Sequence, residues 1–171
     1  MTEYPRELWQ PGDIGFAHST GIVAKGIRYA ERRDGEDAFW NHVFTLSHKD
    51  DNGEWVVLQA EKAGVTNTHL LESVAPGGKY EVLSFPDKLA DRERYLEFLD
   101  AQVSDSYSIL SIASCALDMY LPDAICLRRA GTWICSGLVA TALLYAGYAP
   151  IVTLPDLYTT TPSKIRELLP D

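Results

Sequence analysis

An α+β fold, an antiparallel sheet packed against helices, is what this sequence predicts, on three observations. Residues 39–60 hold two segments rich in β-branched and aromatic residues on either side of Asp50-Asp51-Asn52-Gly53, a hairpin pattern. Residues 87–103 and 135–147 place apolar residues at three- and four-residue intervals, the helical period. The chain has 171 residues, enough for one domain with a substantial core and short for two, so a single domain over 1–171 is expected.

Taken in order, Pro11-Gly12-Asp13 is a turn signal, and Ile14 to His18 after it reads as a short strand. Ser19 or Thr20 then caps a helix to about Arg33, with Ile22, Val23, Ile27 and Ala30 on one face. The polar loop Asp34 to Asp37 leads into the first hairpin strand, Phe39 to Leu46, and Glu54 to Ala60 forms the second. A two-residue Asn52-Gly53 turn sets Phe44 opposite Glu61 and His42 opposite Ala63, which puts His42, Gln59 and Glu61 on one face with Glu61 about 7 Å diagonally from His42. A three-residue loop reverses that parity.

Lys79 to Ser84 reads as a further strand. Asp87 to Val103 reads as an amphipathic helix with Pro86 at its start and Leu89, Leu96, Leu99 and Val103 inward. Tyr107 to Tyr120 has the pattern of a buried helix ended by Pro122-Asp123, and Cys135 opens the next helix, with Gly147 as its stop. Val152 to Leu157 is expected to be extended, and Thr161-Pro162 starts a short terminal helix.

Composition excludes several classes of function. Hydrophobic residues make up 46% and charged residues 23%, an ordinary globular balance. A net charge of -9 opposes long-range attraction to nucleic acid or to anionic lipid. The most apolar stretch, Ile109 to Leu127, is interrupted by Asp118, Pro122 and Asp123, so no membrane span is expected. The opening residues lack the basic start and apolar core of a secretory signal, so a soluble, cytoplasmic protein is expected. Three cysteines without a C-x-x-C pair predict free thiols and no structural zinc, with Cys115 and Cys126 as core residues. No Walker A, H-E-x-x-H, EF-hand or dinucleotide pattern is present, so no cofactor is expected.

Cys135 is the residue that points to chemistry. In the first turn of a helix it faces unsatisfied N–H groups and the positive end of the helix dipole, both of which favour thiolate. It also shares helical spacing with Leu138, Val139, Ala142 and Leu143, so a core cysteine is the competing reading. A nucleophile needs a base, and all four histidines (His18, His42, His48, His69) precede it.

Cys135-Ser136-Gly137-Leu138-Val139 resembles the nucleophile motif of the NlpC/P60 superfamily of papain-like cysteine peptidases and amidases. With histidine before cysteine, the chain is similar to the circularly permuted YiiX/YebB-like branch. Pro11-Gly12-Asp13-Ile14, Trp40-Asn41-His42-Val43, Leu58-Gln59-Ala60 with Gly64-Val65, and Ile134-Cys135-Ser136 carry that resemblance over most of the chain. It implies a papain-like core in which Cys135 attacks a carbonyl and His42 moves the proton. It also implies a third residue that orients the imidazole. The permuted branch has glutamate where this chain has Gln59, and Glu61 on the same expected strand face is the rival for that role. Tyr107 resembles a tyrosine whose hydroxyl steadies the oxyanion, against a reading as packed aromatic.

The resemblance implies hydrolysis of an amide, in a peptide or cell-wall peptide. The same Cys/His pair also suits an acyltransferase or lipid esterase, for which Tyr29, Trp40, Trp55, Trp133 and Tyr148 are candidate apolar lining. A binding module that keeps the groove without turnover is the third alternative, motivated by Gln59. The partner expected is therefore a peptide or a small acyl-containing substrate. His18, His48 and His69 are expected to be surface or locally bonded, and Asp13 to fix a turn.

Overall fold

The computed structural model describes residues 4–18, 39–61, 63–74, 79–107, 132–154, 157 and 160–170, and shows an α+β architecture. Five strands, β1 (Ile14–Ala17), β2 (His42–Lys49), β3 (Trp55–Glu61), β4 (Gly64–Leu70) and β5 (Tyr80–Leu83), form an antiparallel sheet in the order β4-β3-β2-β1-β5. Helix α1 (Leu71–Val74) follows β4, α2 (Arg92–Ala101) follows β5, and α3 (Cys135–Tyr145) and α4 (Pro162–Leu168) are the further helices among the described residues. Short 3-10 turns occupy Arg6–Leu8 and Ala149–Thr153, and β6 (Ser106–Tyr107) pairs in parallel with β7 (Thr132–Trp133).

Both faces of the sheet are covered, which is why Trp55 to Ala60 is buried at every position, apolar except for Gln59, rather than alternating. On one face Ile14, Phe16, Val43, Leu58 and Ala60 pack with Leu138, Val139, Ala142 and Leu143 of α3. On the other, Ala17, Phe44, Leu46, Trp55 and Val57 are covered by Leu71 and by Tyr4 and Trp9 of the N-terminal segment. Helix α3 is buried over most of its circumference because α2 and α4 close on it from the side away from the sheet.

The β2–β3 hairpin differs from the two-residue turn read from sequence. Gly53 adopts φ +81, Gly53 N–H donates to Asp50 O at 2.9 Å, and Asp50 N–H donates to Glu54 O at 2.9 Å, so the loop has three residues. The pairs nearest the turn are Lys49↔Trp55 and His48↔Val56, with the reversed parity such a loop imposes. An extra residue at Ser47 then shifts the register, giving Leu46↔Val57 and Thr45↔Leu58. The bulge cancels the inversion, so His42 and Gln59 return to a common face even though the expected pairs Phe44/Glu61 and His42/Ala63 do not form.

Helix α2 begins at Arg92, later than the expected Asp87, because the Asp91 side chain caps it by accepting from Arg94 N–H at 3.1 Å. Leu89 is left 55% exposed, and Tyr95 takes the inward position with its hydroxyl on Thr45 Oγ1 at 2.7 Å. Val152 and Thr153 lie in a 3-10 turn rather than in extended chain, because Pro150 fixes its first turn. Strand β4, the short helix α1, the 3-10 turn Arg6–Leu8 and the β6/β7 pair are not expected from sequence; Tyr107, expected to open a buried helix, lies in β6. The expected helix over 19–33, the buried helix after Tyr107, the break at Pro122-Asp123, Cys115 and Cys126 lie outside the described residues.

Gly15 makes the closest approach in the sheet. A Cβ there would lie 2.1 Å from the ring of its register partner Phe44, which is itself buried. Gly15→Ala is therefore expected to destabilise the fold by about 1–3 kcal/mol, read as a lower urea midpoint at unchanged slope.

Candidate active site

Helix α3 starts after Ile134, which is extended and offers no side-chain oxygen as a cap. The first-turn N–H groups are thus left for other acceptors, and Cys135 sits among them, 4% exposed. His42 opens β2, the strand against which α3 packs. The fold therefore brings the imidazole from the first half of the chain to the sulfur in the second.

On its far side the imidazole is fixed: His42 Nε2–H donates to Gln59 Oε1 at 2.6 Å. Gln59 is buried and, on β3, lies beside β2 on the same face. This bond sets the tautomer and leaves Nδ1 to face the Cys135 thiol, whose nearness raises the ring pKa. The Phe44 ring lies 6.4 Å from the imidazole, centroid to centroid, and limits its tilt.

Burial alone would push the Cys135 thiol up, but the His42 imidazole and the N–H groups of Val43 and Ser136 outweigh it and hold the thiol below its ordinary range. Burial pulls His42 down, and the Cys135 sulfur, the Gln59 carbonyl and the Glu61 charge raise it above its ordinary value. Both shifts favour a thiolate beside an imidazolium.

Glu61 takes a different place from Gln59. Its Oε1 pairs with His69 Nε2 at 2.7 Å on the neighbouring strand, so it acts on His42 through space rather than by contact. His18 Nδ1 bonds to Phe39 O at 2.8 Å and His48 Nδ1 to Ser47 Oγ at 3.1 Å, the local roles expected of them. The backbone of Tyr107 pairs with Trp133, two residues before Cys135, while its side chain lies outside the described set.

Of the expected apolar lining, Trp55 and Tyr148 are core residues. The Tyr148 hydroxyl donates to Leu168 O. Trp40 is half-buried two positions before His42, with the more exposed Phe39 edge-on against it at 4.7 Å. Tyr29 and the Trp133 side chain lie outside the described residues.

Two contributors to the site were not read from sequence. The Val43 N–H reaches the sulfur by backbone position, which carries no residue signature. Ser136 adjoins Cys135 in the sequence, but its N–H and its hydroxyl bond depend on the fold. Among the described residues no group of three or more His, Cys, Asp or Glu side chains is arranged to hold a metal, and no helix is long and apolar enough to cross a membrane. Comparison with protein-family models and with curated proteins finds no match to this chain.

Proposed function

We propose that this chain is a cysteine hydrolase that cleaves an amide bond, in a peptide or cell-wall peptide, on a circularly permuted papain-like arrangement similar to that of the NlpC/P60 superfamily. One observation carries the reading: His42 is tied at Nε2 to Gln59 at 2.6 Å with its ring beside the Cys135 thiol at the start of α3. That is the geometry of an oriented base beside an activated nucleophile.

In this mechanism the Cys135 thiolate adds to the scissile carbonyl, and first-turn N–H groups of α3 receive the developing oxyanion. The C–N bond then breaks as the imidazolium Nδ1–H protonates the leaving amine. Neutral His42 next takes a proton from water, hydroxide adds to the thioester, and the acid product departs as thiolate and imidazolium re-form. Gln59 keeps the ring oriented throughout, and Glu61 supplies from a distance the negative charge that an amide lacks.

The half-buried Trp40 and exposed Phe39 beside His42 favour a second substrate class for the same pair, an acyl ester. Incubation with electrophilic peptide-amide and acyl-ester probes at neutral pH, followed by mapping of the adduct, tests both. An adduct on Cys135 is expected, and its relative rate with the two probes assigns the class. Labelling confined to Cys115 or Cys126 would overturn the proposal.

A further inference from the structure

The segment that opens α4 touches both halves of the site. Ser136, buried one residue past the nucleophile, donates its hydroxyl to Thr160 O at 2.7 Å. Ser163, equally buried in the first turn of α4, donates to Trp40 O at 3.4 Å, two positions before His42. Between them Thr161 caps the helix by accepting from Lys164 N–H at 3.2 Å, so both contacts ride on one short ordered turn. The body of α4 is held independently, by Arg166 forked onto Glu81 at 2.8 and 2.9 Å and by Tyr148 on Leu168 O.

Thr160 shows what this turn is arranged around. Its carbonyl serves Ser136 while its own Oγ1 is buried with no hydrogen-bond partner among the described residues, an uncommon arrangement in a native interior. Packing between α3 and β2 is apolar and therefore non-directional, so it does not by itself fix where the sulfur sits along the imidazole. Hydrogen bonds from a common anchor do.

We propose that residues 160–163 form a clasp that sets Cys135 against His42, with Ser136 and Ser163 as positioning residues; this rests on the Cys/His reading above. The clasp makes no contact with substrate. Its effect is on alignment, where a displacement of about 1 Å costs on the order of 100-fold in rate.

The test is the rate of Cys135 alkylation by iodoacetamide as a function of pH, resolved by peptide mass spectrometry, together with turnover of p-nitrophenyl acetate. Ser136→Ala and Ser163→Ala are each expected to move the alkylation midpoint to higher pH and to lower kcat by about 10- to 100-fold with little change in KM. Thr160→Val keeps the carbonyl and is expected to leave the midpoint in place. Tyr148→Phe, which loosens α4 away from the site, is expected to leave it in place as well.

A depressed wild-type midpoint that neither serine variant moves would overturn the clasp alone, as would an equal shift in Tyr148→Phe. A wild-type midpoint at the ordinary thiol value would overturn the Cys/His reading and the clasp with it. Should Ser136→Ala fail to fold, Ser163→Ala against Tyr148→Phe decides.

Discussion

On the proposed mechanism, His42→Ala is expected to move the ionisation of Cys135 upward and to lower turnover by about 1,000-fold, the loss for a positioned acid–base group. The direction follows from the opposing influences on the thiol. Burial pushes it up, and the imidazole is the largest of the groups that hold it down. Without the ring, the N–H groups of Val43 and Ser136 remain and only part of the depression survives. Site-resolved alkylation against pH measures this directly, and a midpoint unchanged in His42→Ala would show that the two groups are not coupled.

The same shifts set the shape of the wild-type pH profile. In the proposed mechanism Cys135 attacks as the thiolate, so activity is expected to rise with pH through a midpoint below the ordinary thiol range. His42 must be protonated to release the amine, so activity falls again only above the ordinary imidazole range, because its folded value is raised. A plateau between two limbs is expected in kcat/KM. On this mechanism acid loss belongs to the sulfur and alkaline loss to the ring, two groups whose ordinary values the opposed shifts bring toward each other.

Asp13→Ala will cost about 3–5 kcal/mol of stability, the largest single effect expected outside the site. Asp13 is fully buried, and its two oxygens accept from Gln10 N–H at 2.9 Å, Phe85 N–H at 3.0 Å and Arg92 Nη1 at 3.0 Å. The substitution strands backbone donors and leaves a guanidinium only 16% exposed with fewer acceptors. In a chain of this size the loss corresponds to a fall in Tm of about 10 °C. Asp87→Ala removes the other carboxylate on Arg92, but Asp87 is mostly exposed, so that change is expected to cost about 1 kcal/mol or less. Thermal denaturation of the two variants side by side separates a structural hub from a surface pair.

Sequence reading placed His42 and Gln59 on one face, but through a two-residue turn that does not form; the extra residue at Ser47 restores the parity that the three-residue loop inverts. That reading missed the actual pairing because the pairing depends on Gly53 taking a left-handed conformation and on one extra residue at Ser47. The start of α2 was placed too early because Leu89 fits the apolar period, yet Asp91 is the residue whose side chain caps the helix. Strand β4 left a signal in Val65, Thr66 and Thr68, obscured by its polar, partly exposed surface. Asp13 was read as a turn residue, which it is, but its reach to Phe85 and Arg92 belongs to the tertiary structure. Gln59 and Glu61 could not be separated on the strand pattern, and the partner that separates them, His69, comes from that unexpected fourth strand.

The compensating loop and bulge between β2 and β3 tie the hairpin's length to its chemistry. Losing Ser47 by itself would turn the far portion of β2 over relative to β3, offering Val43 where the imidazole now stands, while the pairing with β1 resists that rotation. Single-residue insertions or deletions here should therefore be poorly tolerated. Lineages related to this chain should vary the hairpin by two residues at a time, or by one at the tip together with one at the kink.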